Sequence, residues 1–309
     1  MRCVVLDDYQ GVALANADWS GLDVTVVREH LADPVPALAD AECVVVMRER
    51  TPFPASLFAR LPHLKLLVTS GMRNASIDLP AARDHGVTVC GTGSEKTPPT
   101  ELTWALVLGL ARHVAVENAA FHAGGPWQST VGVDLAGATL GLLGFGKLGT
   151  AVARIGTAFG MDVVAWSPNL TQDRVEPEGV RLASSLHDLL GQSDFASIHL
   201  VLSDRTRGLV DAAALACLKP SSFLVNTSRS GIVDSAALLK ALRERRIAGA
   251  GLDVFDVEPL PLTDELRTLP NVLATPHVGY VTQANYRTYF REAVEDIHAF
   301  VAGEPIRQL

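Results

Sequence analysis

Three polar side chains directly follow apolar, strand-like runs, and together they could move a proton next to a carbonyl group. Arg229 lies in "NTSRSGIVD", Glu258 in "GLDVFDVEPL" and His277 in "LATPHVGY". In an open α/β sheet, ligands bind outside the carboxyl ends of the strands, so we expect all three at one edge of a sheet. Taken singly, each has an ordinary alternative: a surface ion pair, a turn and a loop histidine.

As a set, the three side chains fit a site for hydride transfer. Reduction of a ketone needs a hydride at carbon and a proton at oxygen, and histidine donates protons near neutral pH. A neighbouring carboxylate stabilises the charged imidazole. Arginine binds a substrate carboxylate through two hydrogen bonds and polarises the adjacent carbonyl. The hydride itself would come from a nicotinamide that the protein positions.

A glycine-rich segment supplies a place for that nicotinamide cofactor. Gly144, Gly146 and Gly149 follow the apolar run "TLGLLGF" and open a helical pattern. The first glycine permits a tight turn, the second lets the backbone approach a pyrophosphate, and the third lets the helix pack close to the strand. The helix N-terminus then offers N–H groups to the anion. The alternative is a strand–helix turn that binds no ligand.

Ser167 occupies the position where a ribose-binding acid is expected. It ends the next apolar run, "DVVAWS", about 20 residues after the glycine loop. A carboxylate there would bind the ribose hydroxyls and repel a 2′-phosphate, and serine does neither strongly. We therefore expect NAD(H) or NADP(H), with a slight preference for NADP(H). Asn169 and Arg174 are possible phosphate partners, and the alternative is that both face solvent.

Continuous apolar runs alternate with helical patterns along the whole chain, which indicates parallel strands covered on both faces. Eleven such runs exceed one comfortable sheet, so we expect an α/β fold of two doubly wound parallel-sheet domains, Rossmann-like and flavodoxin-like, with the cleft between them. The predicted substrate (catalytic) domain comprises residues 1–97 plus 283–309, and the dinucleotide-binding Rossmann domain comprises residues 98–282. We expect one long helix from Thr100 to Gly124 and a closing helix from about Thr282.

The composition of the chain argues against several classes of partner. The chain has 309 residues and a net charge of −8, which disfavours nucleic acid and membrane surfaces because both are anionic. No signal peptide or bilayer-spanning run is evident, so a cytoplasmic protein is expected. Four scattered cysteines, mostly within apolar runs, suggest buried thiols and no metal site.

The order of these motifs over nearly the whole chain resembles the D-isomer-specific 2-hydroxyacid dehydrogenase family, of the glyoxylate/hydroxypyruvate reductase type. "TSGMRNASID" and "TELTWALVLGLARH" add to the resemblance. It implies that Arg229 binds substrate, that Glu258 is the partner carboxylate and that His277 is the acid/base. It also implies a homodimer acting on a small 2-keto or 2-hydroxy acid.

The resemblance further assigns residues to the two ligands. The substrate carboxylate would meet Ser70, Gly71, Met72 and Arg73, besides Arg229 and His277. Asp253 would hold the nicotinamide carboxamide. The other cofactor positions would be Gly144, Gly146, Lys147, Leu148, Gly149, Ser167, His199, Thr206, Thr227, Ser228 and Gly279.

Three positions depart from the family pattern. Ser167 replaces a frequent aspartate, Tyr280 replaces a small residue, and "GMRN" replaces a glycine–valine type of loop, so that Arg73 adds a cation near the substrate or faces solvent. Two other functions stay open: a dehydrogenase for a phosphonate or a sugar-acid phosphate, and a dinucleotide-sensing regulatory binding protein.

Overall fold

Two parallel sheets form the framework of the computed structural model, which describes residues 1–309. Every strand pair is parallel. The strands are β1 (Arg2–Val5), β2 (Asp23–Val26), β3 (Cys43–Val46), β4 (Leu66–Thr69), β5 (Thr88–Gly91), β6 (Thr139–Leu143), β7 (Asp162–Trp166), β8 (Arg181–Leu182), β9 (Phe195–Ile198), β10 (Phe223–Asn226), β11 (Gly249–Leu252) and β12 (Val272–Ala274).

Helices follow most of these strands, as parallel connections require. They are α1 (Ala13–Asn16), α2 (Val35–Leu38), α3 (Ala55–Phe58), α4 (Leu79–Asp84), α5 (Pro98–Ala111), α6 (Val114–His122), α7 (Lys147–Ala158), α8 (Gln172–Val175), α9 (Leu186–Gln192), α10 (Ala212–Leu215), α11 (Ser235–Arg243) and α12 (Gln283–Val301). None of them combines the length and the apolar character needed to span a lipid bilayer.

The first of two compact units combines Met1–Glu95 with Val281–Leu309. Its sheet has the order β2-β1-β3-β4-β5. Strands β3 and β4 are buried at every residue, whereas the edge strand β2 alternates between exposed and half-buried positions. Helix α12 returns to this unit and packs on β4 and α1. The apolar core therefore lies on both faces of the central strands.

The second unit, Lys96–Tyr280, contains a seven-stranded sheet of order β12-β11-β10-β9-β6-β7-β8. Strand β6 lies between β7 and β9, so the strand order reverses beside it. Two separate clusters of buried apolar side chains cover the two faces of this sheet. A reversal of this kind opens a crevice at the carboxyl ends of the strands, where dinucleotides bind in doubly wound sheets.

The prediction of two parallel sheets is confirmed, and each of the eleven apolar runs overlaps a strand. The two-residue strand β8 was not predicted, because two residues carry no periodic pattern. The prediction of a single long helix from Thr100 is wrong. It divides into α5 and α6 at His113, whose φ of 51° is left-handed. The closing helix is present, and the Thr282 side chain caps it. Cys3, Cys43 and Cys90 are buried free thiols, as expected.

Candidate active site

The carboxyl ends of six neighbouring strands in the second unit lie in register. Leu143 pairs with Trp166 and Ile198, Ile198 with Asn226, Asn226 with Leu252, and Leu252 with Ala274. The residue that follows each strand therefore stands in one row along the edge of the sheet. In spatial order, the row is Ser167, Gly144, His199, Thr227, Asp253 and Thr275. This row contains or adjoins most of the predicted cofactor positions. The loops that carry the predicted catalytic residues also begin there.

Packing within the fold explains two glycines of the glycine-rich segment. Gly144 has a φ of 104°, and a Cβ there would lie 2.6 Å from the carbonyl oxygen of His199. A Cβ on Gly149 would overlap the carbonyl oxygen of Gly144. Both residues must therefore be glycine for β6, β9 and α7 to approach one another, as the sequence predicted.

Gly146 has a different explanation. A Cβ at this position would meet no atom within 4 Å, so packing does not require glycine here. Gly146 is the N-cap of α7, and no side chain caps the free N–H groups of that helix. Gly146 and Lys147 are exposed and Leu148 is half-buried. The uncapped helix start and the open space fit the pyrophosphate of a dinucleotide.

The turn after β7 is compatible with a phosphorylated ribose. Leu170 N donates to Ser167 O at 3.1 Å, which closes a turn with Asn169 exposed. Arg174, on α8, is also exposed and makes no ion pair or hydrogen bond through its side chain. No carboxylate stands at 167, the position next to Gly144 in the row.

His277 and Glu258 form the closest polar pair of the site. The Nδ1 atom of His277 lies 2.6 Å from Oε2 of Glu258, and the two side chains are 18% and 28% exposed. Phe255 N donates to Oε1 of Glu258 at 2.9 Å, so both carboxylate oxygens are engaged. A carboxylate on Nδ1 places the proton there, which leaves Nε2 for chemistry. No atom of the chain forms a hydrogen bond with Nε2.

Asp253 holds the loop that carries His277. It is completely buried, and Oδ1 accepts hydrogen bonds from Thr275 Oγ1 at 2.6 Å and from Val278 N at 2.8 Å. Oδ2 accepts from Gly279 N at 2.9 Å. Burial raises the pKa of Asp253, and these three hydrogen bonds oppose that shift. The loop needs such support because His277 has a φ of 53°, which is unfavourable for a residue other than glycine.

Arg229 lies in a turn that Asn226 fixes. Oδ1 of Asn226 accepts from Ser228 N at 3.0 Å, and Nδ2 donates to Arg229 O at 3.1 Å. Ser228 Oγ donates to Leu200 O, which ties the turn to the loop after β9. Asn226 and Thr275 were not among the predicted site residues. The only feature in the sequence that could have pointed to them is that each is a polar residue at the end of an apolar run.

The remaining predicted cofactor side chains are engaged inside the chain. The hydroxyl of Thr206 donates to Val201 O at 2.7 Å and accepts from Ser203 N at 2.8 Å. The hydroxyls of Thr227 and Thr103 are 2.8 Å apart. These side chains shape the loops at the sheet edge.

His199 is a neutral residue in this row. Its Nε2 atom lies 2.9 Å from Ser197 Oγ, and burial lowers the pKa of its imidazole to about 4. It therefore adds no positive charge at neutral pH and differs in this respect from a general acid.

The predicted substrate loop, residues 70–73, belongs to the first unit and follows β4. Ser70 and Gly71 are buried, whereas Met72 and Arg73 are exposed. Ser70 N donates to Val46 O at 3.1 Å, and Gly71 N donates to Thr92 Oγ1 at 3.0 Å. The N–H groups of Met72 and Arg73 have no acceptor in the chain, so they are the two that remain for an anion.

The chain is similar to known proteins along most of its length. The family model described as D-isomer specific 2-hydroxyacid dehydrogenase, NAD binding domain, matches residues 104–279. The chain is 39% identical over 258 residues to the glyoxylate reductase of Aeropyrum pernix, covering 80% of this chain and 76% of that protein. It is 35% identical over 283 residues to the hydroxypyruvate reductase of Thermotoga maritima, covering 89% of this chain and 90% of that protein.

A solved structure has the same fold along nearly its whole length. The crystal structure of phosphoglycerate oxidoreductase from Vibrio cholerae O395 matches with a TM-score of 0.94 at 36% identity, covering 98% of this chain and 99% of that one. The chain spans only 54% of the D-3-phosphoglycerate dehydrogenase of Bacillus subtilis, to which it is 34% identical over 286 residues.

Fold, site and likeness thus define an oxidoreductase that uses a nicotinamide dinucleotide. Within that class, the chain belongs to the D-isomer-specific 2-hydroxyacid dehydrogenase family.

Proposed function

We propose that this protein reduces a small 2-keto acid to the D-2-hydroxy acid with NAD(P)H and catalyses the reverse oxidation. One observation carries the proposal. The Nδ1 atom of His277 lies 2.6 Å from Oε2 of Glu258, and the loops that carry these two residues leave the same edge of the sheet as the Gly144 loop. When bound, the reduced nicotinamide supplies the hydride. In this proposal the first unit is the substrate domain and the second is the dinucleotide-binding domain.

The geometry of the His277–Glu258 pair indicates which atom donates the proton. Nε2 of His277 has no partner in the chain, so it donates the proton to the keto oxygen as the alcohol forms. Glu258, held by Phe255 N, keeps the imidazole oriented and balances its charge. In the oxidation direction the same nitrogen accepts the hydroxyl proton.

In this proposal, a cationic side chain and backbone N–H groups orient the substrate. The Arg229 guanidinium binds the carboxylate and polarises the neighbouring carbonyl. The free N–H groups of Met72 and Arg73 bind a substrate carboxylate in the 70–73 loop. Asp253 keeps the His277 loop in place, and it is the residue that would hold the nicotinamide carboxamide.

For the cofactor we propose a preference for NADP(H). The absence of a carboxylate at Ser167 removes the group that would repel a 2′-phosphate, and the exposed Arg174 and Asn169 lie on the same connection. NAD(H) remains a usable cofactor, since serine can accept a hydrogen bond from a ribose hydroxyl.

We propose that the protein is a homodimer formed through α6 and the segment after it. Phe121, Trp127 and Val131 are exposed there, Trp127 to 83%, beside Val114 and Val116. Exposed apolar patches of this kind mark association surfaces. A molar mass measured by light scattering at the monomer value, across micromolar concentrations, would contradict this assignment.

Absorbance at 340 nm tests the catalytic proposal. Glyoxylate, hydroxypyruvate, pyruvate and bulkier keto acids are supplied with NADH and with NADPH in turn. We expect turnover with at least one keto acid and no turnover with a simple ketone that lacks the carboxylate. Cofactor binding without turnover on any keto acid would instead support a dinucleotide-sensing regulatory protein.

A further inference from the structure

We infer that the substrate carries a second anionic group and that Arg73 binds it. The inference rests on the proposed reduction of a 2-keto acid and deepens it by naming the class of acid. It comes from residues 70–74, the 70–74 loop, and from the side chains that hold this loop within the first unit.

The 70–74 loop is fastened at both ends to Arg48. Ser70 Oγ accepts a hydrogen bond from Arg48 N at 2.8 Å, and Asn74 Nδ2 donates to Arg48 O at 2.7 Å. Asn74 Nδ2 also lies 2.9 Å from Thr69 Oγ1. Both Ser70 and Asn74 are buried, so these bonds are shielded from water and fix the ends of the loop.

The Arg48 side chain supports the loop from behind. Its Nη1 atom donates to Ser70 O at 3.3 Å, and its Nε atom lies 3.6 Å from Oε2 of Glu49. A Cβ on Gly71, whose φ is 86°, would overlap Arg48 Nη1. Glycine at 71 thus lets the guanidinium lie against the loop backbone, and the charge of Arg48 is used inside the unit.

Arg73 belongs to this fixed loop, but its side chain, unlike that of Arg48, is exposed to solvent. The Arg73 side chain makes no ion pair or hydrogen bond with any residue of the chain. Beside it, Met72 is 44% exposed, and the N–H groups of Met72 and Arg73 are free. The Arg73 guanidinium therefore remains available to an anionic ligand.

These donors form two separate binding elements for an acid. The pair of N–H groups suits one carboxylate, and the planar guanidinium suits a second oxyanion through two parallel hydrogen bonds. A keto acid with one carboxylate, such as pyruvate, leaves Arg73 unused. A keto acid with a distal carboxylate or phosphate engages both elements, so we assign the substrate to the dianionic or more highly charged 2-keto acids.

The test compares keto acids of different charge on the holoenzyme. The probes are pyruvate, oxaloacetate and 3-phosphohydroxypyruvate, which separate a distal carboxylate from a distal phosphate. We expect the wild-type enzyme to favour one of the two charged probes in kcat/KM. R73A should lower kcat/KM for that probe by about ten- to a hundredfold, the usual loss for a charge-assisted hydrogen bond, and lower kcat/KM for pyruvate much less, because the backbone N–H groups of the loop remain. R73K, which keeps the charge without the fork, should fall between.

Arg83 provides the matched control. It is an exposed arginine on α4 of the same unit, outside the 70–74 loop, and R83A should leave all three probes unchanged. An equal loss on pyruvate and on the charged probes in R73A would overturn the inference, as would a wild-type preference for pyruvate.

A binding measurement separates this inference from the proposed reaction. With cofactor present, malonate should raise the melting temperature of the wild-type protein more than acetate does, and R73A should abolish that difference. An equal response to malonate in R73A would overturn the role of Arg73 whether or not any keto acid is turned over. Failure of all keto acids to react would overturn the proposed reaction alone.

Discussion

Asp253 fixes His277 from both sides without bonding to its imidazole. The buried carboxylate receives the Thr275 hydroxyl, two residues before the histidine, and the N–H groups of Val278 and Gly279, which follow it. His277 can therefore hold a left-handed φ of 53° while Glu258 orients its ring. The position of His277, the proposed acid/base, thus depends on a carboxylate at the end of the neighbouring strand β11.

We predict that D253N loses both stability and turnover. Asparagine can accept through only one of its two side-chain atoms, so at least one buried N–H of Val278 or Gly279 is left unpaired. The expected costs are about 1–3 kcal/mol in the free energy of unfolding and roughly tenfold or more in kcat. Urea unfolding and steady-state kinetics measure the two effects.

T275V is the milder companion variant for this test, because it removes a single donor to Asp253. It should shift both quantities in the same direction as D253N but by less. A D253N protein with wild-type stability and kcat would show that the loop does not need its anchor.

For His277 we predict that alanine abolishes proton transfer while cofactor binding survives. H277A should lower kcat by about 10²–10⁴-fold, the usual contribution of a general acid, with the cofactor Kd within about threefold of wild type. E258Q should lower kcat by less, since it preserves the shape of the partner but not its charge. Stopped-flow kinetics and cofactor fluorescence titration report the two quantities. Unchanged turnover in H277A would remove His277 from the mechanism.

The sequence predicted the parts of this site that depend on residue type and strand order. The placement of Arg229, Glu258 and His277 at one edge of the sheet was predictable because the segments that follow parallel strands leave the sheet on the same side. Gly144 and Gly149 were identifiable because their spacing matches a tight turn and a closely packed helix.

The supports of the site could not be predicted in the same way. Asp253 was assigned to the nicotinamide, and its bonds around His277 depend on side-chain directions that only the folded loop sets. Asn226 looks like an ordinary end of a strand, and its two bonds around Arg229 require the turn to exist first. The break at His113 contains no glycine or proline, so no local signal marked it.

Exchanging the residue at 167 should change the choice of cofactor. In S167D, the new carboxylate accepts from the ribose hydroxyls and repels a 2′-phosphate, so kcat/KM should rise with NADH and fall with NADPH, each by about tenfold. R174A should weaken NADPH alone, and S167A should do little. Parallel assays with both cofactors provide the comparison, and an unchanged NADPH/NADH ratio in S167D would contradict this interpretation of the turn.

The last prediction concerns pH and the C-terminal segment of the first unit. Asp296 on α12 is fully buried, and Oδ1 accepts from Arg307 Nε at 2.9 Å, while Oδ2 has no partner. Burial raises the pKa of Asp296 to about 7, and the negative charges of Glu292 and Glu295 act in the same direction. The cation of Arg307 lowers the pKa but does not cancel the shift.

The sign of the pH effect follows from proton uptake. Between the unfolded pKa near 4 and about 7, the folded protein binds more protons at this site than the unfolded chain does. The Asp296 contribution to stability is therefore complete below about pH 4 and is lost as the pH rises through 7. The loss is at most about 4 kcal/mol. D296N cannot titrate, so its stability relative to wild type should increase between pH 4 and pH 8. Urea unfolding of both proteins at each pH gives this difference in stability. His199 also has a shifted pKa, but it is present in both proteins, so its contribution cancels. A constant difference would show that Asp296 is ionised in the folded protein throughout the range.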